Sequence, residues 1–231
     1  MRFRSLGFLL LAALLAFLPG CTAESGEKPL PPPSADPASM FGVDQTINMG
    51  SIDAYLGRDD VVYRDVRMLF DPADYAKIGG EADLTHTIED FKIVPFPYIA
   101  TLQPLPVDNA YGGSALYTVV WNDDGSVASA TPNYEESALF LNDLFPRDKA
   151  IFLMCGGAGY AGMMKTLLLY LGWNADKLYN VGANWTYAGK RGVELVVYPE
   201  DAAGDLIHAT WRADYAYLDF ALLHPLEGNA E

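Results

Sequence analysis

Cysteine, histidine and positive charge are all scarce in this 231-residue chain, which has two Cys, three His, and 15 Lys plus Arg against 30 Asp plus Glu. The few Cys and His are not clustered, so there is little from which to build a zinc site, and the C-x-x-C-H motif of haem attachment is absent. Neither metal nor cofactor is expected. A formal net charge of −15 argues against a nucleic-acid partner, because phosphates would be repelled over most of the surface. Apolar side chains are plentiful. Half of the residues are hydrophobic and 11 Phe, 14 Tyr and 4 Trp are present, which excludes wholesale disorder and supplies one packed domain with accessories, or two small ones.

The N-terminal run Leu6–Leu18 holds thirteen uncharged residues behind Arg2 and Arg4. A permanent membrane helix needs about 20, so this is a secretory hydrophobic region. It ends Leu18-Pro19-Gly20-Cys21, which resembles a bacterial lipobox. That resemblance implies removal of residues 1–20 as a lipoprotein signal peptide and acylation of Cys21 (palmitate or a similar chain). The partner of Cys21 is then a lipid bilayer. The protein is expected at the cell envelope, facing outside the cytoplasm and on the periplasmic side in a Gram-negative host. Processing removes two arginines and no acid, taking the charge from −15 to −17. Residues 21–40 are rich in Pro, Ser, Ala and acids and read as a disordered tether. With Cys21 acylated, Cys155 is a lone thiol, which in an oxidising compartment either hides in a core or does chemistry.

Local patterns order the rest. Ser51–Leu56 suits a short helix capped by Ser51, and Val61–Val66 a buried strand. Asp71-Pro72 opens another predicted helix, and Phe91–Val94 is a short strand closed by Pro95. Residues 101–133 form an insertion in which Ala115–Trp121 and Val127–Thr131 flank Asn122-Asp123-Asp124-Gly125, a hairpin turn and not a calcium loop. A helix is predicted over Glu135–Leu144, a fully covered strand at Ala150–Met154, a helix over Tyr160–Leu171 and a strand at Leu178–Val181. Strand, helix, strand in succession points to an α/β fold, a parallel sheet flanked by helices with a β-hairpin insertion. Residues 191–231 are left as a C-terminal extension packed on the domain, with Trp211, Tyr215, Tyr217 and Phe220 in its core or over a sheet edge.

The chemistry-bearing feature is Cys155 at the C-terminal end of a buried strand, followed by Gly156, Gly157, Ala158, Gly159 and Tyr160 entering a helix. Such a turn aims successive backbone N–H groups at one spot, where a thiolate, persulfide anion or oxyanion is expected to be stabilised. The glycines are expected to supply backbone angles that a side chain forbids. Three readings compete. Cys155 is an inert buried hydrophobe; or Gly157–Gly162, a literal G-x-G-x-x-G, cradles a dinucleotide phosphate, although the acid needed at the end of the next strand is missing.

The third reading rests on four segments in order: Asp65-Val66-Arg67, His86 to Pro95, the Cys155–Tyr160 loop, and Leu178 to Trp185. Together they resemble the rhodanese family over roughly residues 45–190, within a domain set at 41–190. The resemblance implies ping-pong sulfur transfer through a Cys155 persulfide, with a small sulfur donor or a protein partner at the loop and Asp65 and Arg67 as a supporting pair. The family loop commonly reads C-x-x-G-x-R. Here Ala158 stands at its glycine and Tyr160 at its arginine, Ala161 disfavours the related phosphatase chemistry, and Ala183 replaces one Gly of the usual pair. A charge-assisted bond of the missing kind is worth about 1.5–3 kcal/mol. The expected function is therefore a membrane-anchored sulfurtransferase or sulfane-sulfur carrier, with a non-catalytic rhodanese-like binding module of the envelope as the alternative. A scaffold with an inert Cys155 is the third possibility. His208 and His224 are candidate bases.

Overall fold

Ala150–Cys155 is six apolar residues with no room for an exposed face, and it becomes the interior strand β6, buried at every position. In this computed structural model residues 28–67, 86–101, 113–194, 196–197, 210–211 and 218–226 are described. The chain divides into Met1–Leu30, of which only Lys28–Leu30 is described, and Pro31–Glu231, which holds every element named below. The predicted signal peptide, Cys21 and the helix opened by Asp71 lie outside the described residues.

Four parallel strands, β1 (Val61–Asp65), β3 (Lys92–Ile93), β6 and β7 (Leu178–Ala183), lie in the order β3-β1-β6-β7. This is the α/β sheet expected from the sequence. Side chains alternate across it, so β6 serves two layers. Phe152 packs edge-on against Tyr63 and Tyr179, at centroid distances of 5.5 and 5.0 Å. Ile151, Leu153 and Cys155 face the opposite cluster, which holds Ala161, Met164, Leu167 and Leu168 of helix α3 (Gly159–Tyr170). Those four residues recur at helical spacing, and Gly172 ends the helix region at φ 87°, where glycine carries no Cβ penalty.

The hairpin is present as β4 (Tyr117–Trp121) and β5 (Val127–Pro132), antiparallel, with Asn122 N–H donating to Ser126 O and Gly125 at φ 81°. Helix α2 (Ser137–Leu144) begins two residues after Glu135. The Ser51 segment forms only a 3-10 turn, Ile52–Tyr55, and Ser51 does not cap it; its hydroxyl donates to Thr46 O. Two small antiparallel pairs add β2 (His86–Ile88) with β8 (Gly192–Glu194), and β9 (Val196–Val197) with β10 (Thr210–Trp211). One turn, helix α1 (Phe96–Ile99), follows β3. Of the C-terminal extension, Phe220 packs on Tyr98 and Tyr134, and Pro225 bridges to Tyr134.

Residues 31–50 form a strap along β7. Tyr179 donates its hydroxyl to Pro31 O at 2.8 Å, Asp44 N–H donates to Asn180 O at 2.8 Å, and Ala35 bridges to Asp44. The buried Asp44 carboxylate accepts from the backbone N–H groups of Ser34, Thr46 and Ile47, so one side chain organises both limbs of the strap. Pro31 to Met40, expected as the far half of the tether, is thus built into the fold.

Candidate active site

β6 delivers Cys155 to the C-terminal edge of the sheet, where parallel α/β folds gather their ligand-facing loops. Opposite it, β7 carries a bulge: Leu153 pairs with Asn180 but Met154 pairs with Gly182, leaving Val181 extra and setting Ala183 across from Cys155. The chain then turns through Gly156, Gly157 and Ala158 into α3. Ala158 adopts φ 70°, a left-handed conformation that costs a residue with a Cβ about 1–2 kcal/mol. The backbone N–H groups of Gly157, Tyr160 and Ala161 act on the Cys155 thiol, each pulling its pKa down.

Two expectations need correction. The special backbone angle belongs to Ala158; neither Gly156, Gly157 nor Gly159 has positive φ. Gly156 and Gly157 answer a different need, space. A Cβ on Gly156 would lie 2.8 Å from Trp185 Nε1, and one on Gly157 would lie 3.0 Å from Trp185 Cζ3. The second correction concerns charge. Cys155 is 3% exposed, and burial pushes its thiol up to about 11; the three amides pull the other way, and the Asp65 carboxylate adds to the rise. Desolvation therefore outweighs the cradle, and at neutral pH the sulfur is a thiol, not a stabilised thiolate.

Asp65, at the end of β1, and Arg67 form a buried ion pair, Nη2 to Oδ2 2.6 Å, with Nε also donating to the carboxylate. Thr87 Oγ1 donates to Asp65 Oδ2 at 2.8 Å, and Arg67 Nη2 donates to His86 O at 2.5 Å. The network ties β1 to β2 with every partner hydrogen-bonded, the condition under which buried charge is tolerated. Tyr160 stacks on Phe96 at 6.0 Å, and its hydroxyl is pushed up to about 12, by burial first and then by the neighbouring Cys155 charge. The Asp65 carboxylate, although paired to Arg67, adds to the rise of the thiol pKa.

A cavity of about 830 Å³ opens beside the loop, lined by Gly157, Ala158, Val181 and Gly182 on one side and by strap residues including Asp36, Phe41 and Asn48 on the other. Cys155 does not line it. His224 pairs with Glu136 at 2.5 Å on the exposed surface, which raises the imidazole pKa through that hydrogen bond; His208 lies outside the described residues. Among the described residues no group of three His, Cys, Asp or Glu side chains is placed to hold a metal ion.

The sequence reading missed Thr87, Asn180 and the position of Trp185. Asn180 is fully buried, and its amide donates to Phe41 O at 2.8 Å and Ala158 O at 3.3 Å, tying strap to loop. A polar residue inside Leu178–Val181 was the available signal, since a buried amide needs partners. Comparison with family models, curated proteins and solved structures finds no match for this chain.

Proposed function

We propose that this chain is a rhodanese-like sulfane-sulfur carrier in which Cys155 accepts and donates one sulfur atom. The observation that carries the reading is the place of Cys155 at the end of an interior parallel strand, beside the backbone N–H groups of Gly157, Tyr160 and Ala161, which favour its anion. The Cys155 proton leaves, and the thiolate attacks the terminal sulfane sulfur of a donor persulfide or polysulfide. A Cys155 S–S bond forms while the donor S–S bond breaks, and the donor's remaining sulfur departs as a thiolate. An acceptor thiolate then takes the outer sulfur and restores Cys155. These amides suit a persulfide anion better than they suit the resting thiol, because N–H donors reward negative charge. Tyr160 in place of a cation, the Asp65 charge that raises the thiol pKa and the acidic surface favour a neutral or protein-bound donor over thiosulfate.

Peptide-resolved mass spectrometry after exposure to polysulfide, in salt that screens the repulsion of the anion, tests this. One added sulfur on the Cys155 peptide is expected, lost on treatment with a thiol acceptor; no added sulfur with any donor refutes it. A second reading, a non-catalytic binding module of the same family, is favoured by the 3% exposure and the raised thiol pKa. It requires an unmodified Cys155 and a partner at the loop. Both readings include anchoring of Cys21 in the envelope membrane by an acyl chain; among the described residues no helix is long and apolar enough to cross a membrane. Loss of membrane association in Cys21→Ser is the expected result.

A further inference from the structure

The cavity of about 830 Å³ between the strap and β7 is set apart by how its hydrogen-bonding groups are spent. Its volume lies within the range of roughly 300–1,000 Å³ that small-molecule sites occupy. On the strap side, the backbone N–H groups of Asp36, Ser39, Val43, Asp44, Gln45 and Asn48 donate within residues 34–51 or, for Asp44, to Asn180 O of β7. Across the cavity, Gly182 N–H donates to Asn180 Oδ1, and Thr186 gives its hydroxyl hydrogen to Ala183 O. Asn48 spends its side-chain amide on the carbonyls of Asp44 and Gln45. Acceptors remain. Asp36 Oδ1 accepts from Ala38 N–H, but neither Asp36 Oδ2 nor Gln45 Oε1 receives a hydrogen bond among the described residues.

Charge follows the same pattern. Among the described residues lining the space there is no Lys, Arg or His, and there are two carboxylates. Asp44 is buried, and three backbone N–H groups and the neighbouring Lys165 charge offset it. Asp36 is only partly buried, and among the described residues no cation pairs with it. Phe41, Val43, Met49 and Val181 supply the apolar part of the wall.

We infer that this cavity binds a small organic cation, a primary ammonium on an apolar stem, with Asp36 as its counter-ion. An anion would meet a carboxylate and no cationic side chain, in a chain of net charge −15. A neutral acceptor would find few donors beyond the Ser39 hydroxyl. An ammonium brings three donors of its own and a charge that Asp36 and the surrounding field reward. Its stem would lie on the four apolar side chains. The site does not depend on the sulfur-carrier reading, because Cys155 does not line the cavity.

Three probes that share a stem separate charge from shape: phenylbutylamine, phenylbutanol and phenylbutyrate. Titrated calorimetrically into the full chain, the amine is expected to bind saturably, about tenfold more tightly than the alcohol, and the carboxylate not at all. Asp36→Asn keeps an acceptor for Ala38 N–H but removes the charge. It should weaken the amine about fivefold or more and leave the alcohol within about twofold. Asp123→Asn removes an equal charge from the exposed hairpin turn and should leave the amine within about twofold. Hydrogen exchange should slow within residues 36–50 when the amine binds, and stay unchanged in the β4–β5 hairpin. The inference is overturned by no saturation, by amine and alcohol binding alike, or by equal losses in the two Asp variants. Should Asp36→Asn not fold, the three probes and the exchange map of the unaltered protein decide. An amine that binds as expected, with no sulfur gained on Cys155, would sink the carrier reading and leave this site standing.

Discussion

At Cys155, two effects of opposite sign meet on one atom. Three amides favour the anion, while full burial and the Asp65 charge disfavour it, and the thiol stays protonated up to about 11. A folded-state pKa above the unfolded value of 9.0 means that the native protein holds this proton more tightly. The corresponding stability, about 2–3 kcal/mol at most, is fully present below pH 9 and is lost as pH rises through 11. Comparison with Cys155→Ala cancels the tyrosines that titrate in the same range. The difference in melting temperature between the two proteins is expected to drift in favour of Cys155→Ala from pH 9 to 11; a constant difference across that window contradicts the burial argument. Ala158 offers a second residue-level test. Its φ of 70° is strained for alanine but its methyl is buried, so Ala158→Gly exchanges about 1–2 kcal/mol of strain for about 0.8 kcal/mol of lost burial. Urea denaturation is expected to show a small net stabilisation. Ala158→Val, β-branched where L-residues rarely go, should cost more than about 2 kcal/mol.

Among the elements, the strap and α3 approach each other closely. A Cβ on Gly162 would come 3.0 Å from Phe41 O, a backbone atom that also accepts from Asn180. Gly162→Ala therefore cannot be relieved by rotating a side chain, and overpacking of this kind costs about 1–3 kcal/mol. The expected result is faster limited proteolysis within residues 36–42 with the sheet still folded; unchanged cleavage would show that the strap does not depend on this approach. The same contact marks the boundary of what could be read in advance. β6, α3 and the β4–β5 hairpin were legible because their signals are local: an unbroken apolar run, a helical period, and Asn-Asp-Asp-Gly. Cys155 at the strand end was legible for the same reason. The strap was not, because Pro31–Met40 has the composition of a tether and folds through bonds to residues about 140 positions away, such as Tyr179 to Pro31 and Asn180 to Phe41. Nor could the glycines announce their purpose. Gly156 and Gly157 are explained by an indole some thirty residues downstream, and the raised thiol pKa by burial that exists only after folding.

For the molecule as a whole, local and global electrostatics agree in sign. The chain carries −15, and the Asp65 carboxylate, even paired to Arg67, disfavours a second negative charge on the sulfur. An anion approaching Cys155 therefore climbs an unfavourable potential over its whole path, whereas a neutral reagent does not. Added salt removes this discrimination, since the Debye length falls from about 30 Å at 0.01 M to about 8 Å at 0.15 M. Iodoacetate and iodoacetamide differ mainly in charge and isolate the effect from any sulfur chemistry. The iodoacetate-to-iodoacetamide rate ratio at Cys155 is expected to lie below that of a free cysteine peptide at low salt, and to rise severalfold toward it as salt is added. A ratio that begins high and falls with salt would reveal an attractive field at the site, and anionic donors would then return as candidates. The rise expected here would instead confine the carrier's donors to uncharged sulfur compounds, or to a protein whose own cationic surface offsets the repulsion.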